Sequence, residues 1–404
     1  MSQPGTLILI MSIAVLAPLL SYGIGRWIPV PLVIFEILLG ILIGPDVLGL
    51  THHEEAVDVL SNLGLSMLIF LAGYEIEFAA VRGDTLRRSV SAWAISLAAG
   101  LGIAFALTGG AVTKSFVIGT ALTSTALGTV LPILRDSGDL KGRFGTVMMA
   151  FGTVGEFGPI IAMSLLLSGR NPGRSTVLLA AFAAVTAAAV LWALRPRPPW
   201  FADVIARTLH SSAQFAVRFV MLLLAAMLGL AAAFGLDTLL GAFAAGLLTR
   251  LVLNGAAPES SELILSKIEA MGFGFLVPIF FIVTGIQFDL DALLHGGRSL
   301  LLLPAFVLLF LLVRGLPAYA LAPRDLGRRD RTALLLHNAT ALPLVVAITT
   351  IGLDDKVLTA GEAAALVGAG MVSVLVFPLL ALRLRRSGQG TKPLPRPMQG
   401  SQTW

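Results

Sequence analysis

Cysteine is absent from the 404 residues, which excludes disulfides, thiol catalysis and cysteine-ligated metal sites. Charge is nearly as scarce: charged residues make up 13% against 56% hydrophobic, and the mean hydropathy is +0.90, so no water-soluble surface can be built from this chain. Five histidines, two of them the neighbours His52 and His53, offer no metal-ligand spacing, and no cofactor is expected. The roughly 10-residue segments of alternating polarity that mark a transmembrane β-barrel are missing too. No charged stretch precedes the first apolar run and no small-residue cleavage site follows it convincingly, so that run reads as a retained span.

Long apolar runs fill the rest. About thirteen of them, each near the ~17–25 residues that cross a bilayer as a helix, lie at approximately 5–23, 28–50, 58–80, 89–109, 113–134, 142–168, 174–194, 213–234, 237–254, 264–287, 299–321, 331–352 and 358–382. The expected fold class is an all-α polytopic membrane protein. An odd number of spans sets the termini on opposite sides. The loops carrying Arg26; Arg82, Arg87 and Arg88; Arg135, Lys141 and Arg143; Arg195, Arg197 and Arg207; Arg250 and Lys267; Arg324, Arg328, Arg329 and Arg331; and the tail from Arg383 then share one side. The other side holds Lys114, Arg170, Arg174, Arg298 and Lys356. By the positive-inside rule the N-terminus lies outside the plasma membrane and the C-terminus in the cytoplasm, which also explains the net charge of +5 without nucleic acid. Residues 1–384 are expected to form the transmembrane domain and 385–404 a disordered cytoplasmic tail.

An internal repeat emerges from two stretches. Met67 to Phe78 reads like Pro278 to Asp289, with Gly73 matching Gly285 and Glu77 matching Asp289. This register pairs spans 3 and 10, an odd separation that inserts the copies with opposite orientation, as in secondary transporters whose sites lie where two discontinuous helices meet. Inverted repeats of roughly 5–168 and 213–382 follow, linked by span 7. The register also makes spans 5 and 12 counterparts, and both carry helix-interrupting polar residues: Thr123, Ser124 and Thr125 in the first, Asn338, Thr340 and then Pro343 in the second. These oxygens can ligate a hard cation; the competing reading is that each hydroxyl bonds the carbonyl one turn back.

Glu156 lies halfway along span 6, within Gly152-Thr153-Val154-Gly155-Glu156-Phe157-Gly158-Pro159. An ionised carboxylate there costs at least ~2.5 kcal/mol, so it marks an ion pathway by default. Arg314 in span 11 is too deep to snorkel and needs an anion, which makes it the expected charge compensation for Glu156. Glu36 in span 2 is a possible secondary site that reads equally well as structural. His337 is placed near the entrance of span 12, as an interfacial side chain or a pH sensor.

These residues carry a resemblance. The stretch Ile28 to Gly49, "LGLSMLIFLAGYEIEF", "TALTSTALGTVLPIL", "FGTVGEFGPI", "GAFAAGLL" and "VPIFFIVTGIQFDL" resemble the monovalent cation:proton antiporter superfamily, in the branch of Kef-type potassium efflux proteins and bacterial sodium/proton exchangers. The likeness runs from span 1 to span 13. It implies two crossed broken helices in a mobile core, a homodimer and elevator-like alternating access, with Glu156 at the family's ion- and proton-binding position, a basic residue at Arg314, and Thr123 to Thr125 on the first broken helix. Gly155-Glu156 stands where relatives keep two acids or a Gln-Asp pair, and Asn338-Ala339-Thr340-Ala341 replaces a "GGEF" pattern. The regulatory nucleotide-binding domain of Kef proteins is not expected here. The function expected is exchange of Na+ or K+ for protons, electroneutral and one for one, by competition at Glu156. An exporter of an ionophore or organic ion on the same fold, and an uncoupled channel or sensor, are the alternatives.

Overall fold

The computed structural model describes residues 3–25, 30–51, 55–75, 83–140, 142–167, 172–193, 199–209, 211, 213–256, 260–295 and 297–386. Its helices are α1 (Gln3–Gly25), α2 (Leu32–Ile43), α3 (Glu55–Glu75), α4 (Asp84–Leu107), α5 (Val112–Leu122), α6 (Leu127–Asp136), α7 (Arg143–Leu167), α8 (Pro172–Ala193), α9 (Pro199–Thr208) and α10 (Phe215–Ala233). They continue as α11 (Thr238–Ala256), α12 (Ser261–Met271), α13 (Val277–Ile286), α14 (Leu290–His295), α15 (Arg298–Leu309), α16 (Leu316–Leu321), α17 (Arg328–Asn338), α18 (Pro343–Asp354) and α19 (Ala360–Arg386). Among the described residues there is no strand.

Among the described residues, eleven helical stretches are long and apolar enough to cross a membrane. The second of the thirteen expected spans appears as the shorter apolar helix Leu32–Ile43, and the seventh as the apolar part Ala180–Trp192 of α8. The shortness of α2 has a local cause: Pro31 stands directly before it and Gly44-Pro45 directly after, and proline neither continues a helix nor lets its predecessor adopt helical backbone easily. Glu77 and most of the tail expected at 385–404 lie outside the described residues. Arg385 does not belong to a tail. It sits in the last turn of α19, ion-paired to Asp139 at 2.6 Å and Asp330 at 2.9 Å.

Spans 5 and 12 are interrupted, as their polar residues predict. The chain leaves helix between α5 and α6 at 123–126 and again between α17 and α18 at 339–342. Two other spans stay continuous but pass through π-helical segments, Gly272–Leu276 and Phe310–Gly315. Each ends two residues before a proline, Pro278 or Pro317, whose missing N–H and bulky ring disturb the preceding turn. The extra residue re-aims the side chains around it: Leu312 is 47% exposed while Arg314, two positions on, is fully buried.

Four glycines make two reciprocal close contacts between helices. A Cβ on Gly285 of α13 would overlap the Ile37 carbonyl of α2, and one on Gly40 of α2 would overlap the Ile282 carbonyl of α13. The same exchange joins α3 and α11, where Gly73 meets the Phe243 carbonyl and Gly246 the Phe70 carbonyl. The register that matches Gly73 with Gly285 also matches Phe70 with Ile282, so both pairs use one packing solution built on small residues. Overpacking such a contact costs about 1–3 kcal/mol. We expect Gly285→Ala and Gly73→Ala to lower the unfolding temperature in detergent by similar amounts, and Gly102→Ala, which meets nothing within 4 Å, to leave it unchanged. Indifference of the protein to both core substitutions would show that the approach is not tight.

Side chains divide into two large apolar clusters. One joins α4, α5, α7 and the chain from α15 to α19; the other joins α3 with α10, α11 and α12. Phe157 and Ile160 of α7 and Leu344 and Ala347 of α18 belong to the second cluster, so the site-bearing helix and the second broken helix form the seam between the two.

Candidate ion and proton site

The two breaks meet and complete each other. Thr125 donates its backbone N–H to the Gly155 carbonyl of α7 at 2.9 Å, and Ala126 donates to the Thr340 carbonyl of the other break at 2.7 Å. Thr125 Oγ1 donates to the Asn338 carbonyl at 2.8 Å. Ser373 of α19 serves the second break: its Oγ accepts the Ala341 N–H at 3.0 Å and donates one turn back to the Gly370 carbonyl at 2.7 Å, with the Ala341 carbonyl also in reach at 3.1 Å. Backbone that would be costly to expose in hydrocarbon is therefore paired inside protein.

Arg314 is the fastener of this crossing. Its Nε donates to Thr125 Oγ1 at 2.8 Å, and its Nη2 donates to the Phe151 carbonyl at 2.6 Å and to Asn338 Oδ1 at 2.8 Å. Asn338 is held in turn by its own Nδ2, which donates to the Leu334 carbonyl at 2.9 Å. One guanidinium thus ties α7 to both broken helices. Gly155 makes room for it: a Cβ there would collide with Arg314 Nη2 and stand 2.4 Å from Thr125 Oγ1.

Glu156 is 2% exposed, on the same helix but turned away from the guanidinium. No ion pair joins Glu156 and Arg314, so the direct charge compensation expected from their depths is not what the structure contains. The reason is azimuth: successive helical residues point about 100° apart, and it is Gly155 that faces Arg314. Glu156 Oε2 has no hydrogen-bond partner. The backbone N–H of Gly128, in the first turn of α6, faces the carboxylate, and Glu75 at the end of α3 acts on it through space. Glu75 and Gly128 also line a cavity of about 30 Å³ with Leu68, Leu71, Leu131 and Phe273. That volume suits about one water or a dehydrated ion.

The remaining expected ligands are arranged differently from one another. Thr123 Oγ1 donates to the Thr120 carbonyl at 2.8 Å, Ser124 Oγ to Ala121 at 2.7 Å and Thr340 Oγ1 to Leu336 at 3.1 Å. These are the one-turn-back bonds of the competing reading, although each oxygen keeps lone pairs free to accept. Thr125 and Asn338 instead spend their polar groups on Arg314 and on backbone. Glu36 is buried on α2, which packs chiefly on α13 and α1, and it is not brought to the crossing. His337 is a correction: it is fully buried beside Phe144, not interfacial, because α17 enters deeply before it breaks.

Sequence reasoning passed over Glu75, the Gly128 N–H and Ser373. Glu75 was visible as a charge inside an apolar run; a backbone N–H carries no sequence signal.

The family model described as "Sodium/hydrogen exchanger, transmembrane" matches residues 11–382. The chain is 24% identical over 400 residues to YjbQ of Bacillus subtilis, provisionally named a Na+/H+ antiporter, covering 94% of this chain and 62% of that protein. It is 27% identical over 384 residues to cation/H+ antiporter 18 of Arabidopsis thaliana, covering 88% of this chain and 46% of the relative. It is 25% identical to the Na+/H+-K+ antiporter GerN of Bacillus cereus, with 68% of each chain covered. The chain thus spans roughly half to three-fifths of the length of the first two. Its fold is similar to that of the sodium proton antiporter MjNhaP1 of Methanocaldococcus jannaschii, with a TM-score of 0.64 at 17% identity, over 96% of this chain and 97% of that one. The crossed broken helices, the buried acid beside them and the match over nearly the whole chain agree: this protein belongs to the sodium/hydrogen exchanger family.

Proposed function

We propose that the chain is a secondary antiporter that exchanges a monovalent cation, Na+ or K+, for protons, one for one and without net charge movement. The observation that carries this reading is Glu156, buried at the crossing of two broken helices with one carboxylate oxygen unpartnered. A bare carboxylate at that depth is costly, so the group favours a bound proton or a bound cation, and the two compete for the same oxygens. A cation would take Glu156 and, from the break, the lone pairs of Thr123, Ser124 or Thr340; Thr125, Asn338 and Arg314 hold the crossing in shape around it. Arg314 adds a fixed positive charge that opposes a second cation.

Alternating access follows from the seam. Phe157 lies against Phe243 of α11, with ring centroids 3.5 Å apart, so the helix bearing Glu156 can slide against the α3–α11 cluster while its own half stays rigid. The loaded forms, neutral at Glu156, cross the apolar seam; the empty anion does not. We place the protein in the plasma membrane as a homodimer, with the N-terminus outside, the inverted repeats at roughly 5–168 and 213–382, and thirteen spans counting the two short helices.

In proteoliposomes carrying a pH-sensitive dye, NaCl, KCl and LiCl are added in turn and a membrane potential is then imposed. We expect at least one salt to drive proton flux and the final cation gradient to be indifferent to voltage. A gradient that follows the potential would rule out one-for-one exchange.

A further inference from the structure

We propose that the arginines at the cytoplasmic start of the second broken helix bind anionic phospholipid headgroups of the inner leaflet. Arg324, Arg328 and Arg329 are exposed, and among the described residues none of their side chains has an ion-pair or hydrogen-bond partner. The acids around them are already taken. Asp325 is held by Arg143 at 2.6 Å, a bond that keeps its carboxyl below the ordinary range and hence ionised. Asp330 is held by Arg385, and Asp84 by Arg88 and, more loosely, by Arg87 at 3.7 Å. Arg88 also acts on Asp325, which places the start of α4 beside the same corner. The corner therefore keeps several guanidinium groups with no internal acid to answer them.

Depth selects the partner. The span ending at Leu321 and the one beginning at Arg328 leave only residues 322–327 between them, so the three arginines lie within a turn or so of the hydrocarbon edge. Arg331 marks the level: its guanidinium stands 5.0 Å from the Tyr319 ring centroid and donates to the Tyr319 carbonyl at 3.0 Å, the pairing of cation and aromatic found at the lipid interface. A planar guanidinium matches the oxygens of a phosphodiester, and juxtamembrane arginines are drawn to anionic lipid. The positive-inside rule asks only for charge on this side; it does not ask that the charge be unpaired and gathered at the end of a helix leading, ten residues on, to Asn338. Headgroups held here would tether the broken helix to the leaflet.

Native mass spectrometry of the detergent-solubilised protein, titrated with phosphatidylglycerol or phosphatidylcholine, tests this independently of transport. We expect the wild-type chain to favour phosphatidylglycerol by about tenfold, the triple variant Arg324→Gln/Arg328→Gln/Arg329→Gln to bind both alike at an unchanged unfolding temperature, and the triple lysine variant to keep the preference. The proposal is overturned if the wild type shows no preference, if the glutamine variant retains it, or if millimolar inorganic phosphate displaces the lipid, which would make a free anion the ligand.

Discussion

Glu156→Gln abolishes salt-driven proton flux in proteoliposomes, to below about one hundredth of the wild-type rate. The amide preserves size and hydrogen-bonding shape, so the 2% exposed site and the Gly128 contact should survive and the protein should stay folded. What disappears is the buried carboxylate that can hold either a proton or a cation with a full negative charge. An oxygen of an amide still ligates sodium, but it cannot release a proton in exchange, and coupling ends. Two decades of rate correspond to about 2.7 kcal/mol of lost stabilisation, close to the minimum cost of an unanswered charge at mid-membrane. Glu75→Gln is the informative companion. If Glu75 only shapes the field, that variant changes the apparent cation affinity and leaves exchange running.

Arg314→Met is the second large effect, and it falls on structure before transport. Removing the guanidinium leaves Thr125 Oγ1, the Phe151 carbonyl and Asn338 Oδ1 each short of a donor among fully buried side chains. Each such orphan costs about 1–3 kcal/mol. Against that stands relief from burying a cation that no carboxylate answers. Three orphans outweigh it, and we expect a clear fall in unfolding temperature in detergent together with at least tenfold slower exchange. Arg314→Lys should recover part of the stability, since an ammonium can reach one or two of the three oxygens but not all of them from one planar fork. A methionine variant as stable as the wild type would show that the crossing holds without its fastener.

Depth and interruption were legible in the sequence; azimuth was not. Hydropathy gave eleven of the thirteen expected spans among the described residues, and Thr123 to Thr125 with Asn338 to Pro343 announced two breaks, because polar and cyclic residues in an apolar helix have few other uses. The match of Gly73 with Gly285 anticipated the shared register, while the partners Gly40 and Gly246 emerge only from packing. Arg314 and Glu156 lie at similar depth and opposite charge, which makes pairing the natural inference from a linear text. The structure answers the arginine with neutral oxygens instead, and the clue was Gly155: a residue without a side chain beside the acid leaves a space that something large must fill. His337 was misplaced for a related reason, since a half-helix that breaks partway carries its last residues further inward than a count from the loop implies.

Competition between H+ and an alkali ion for one carboxylate makes a direct demand on the purified protein. From a fixed starting pH, in weak buffer with an indicator dye, adding sodium or potassium chloride to the detergent-solubilised chain should release protons in proportion to the cation bound, up to one for each polypeptide, and Glu156→Gln should release none. Saturable cation binding with no proton release from the wild type, or equal release from the variant, would contradict the account.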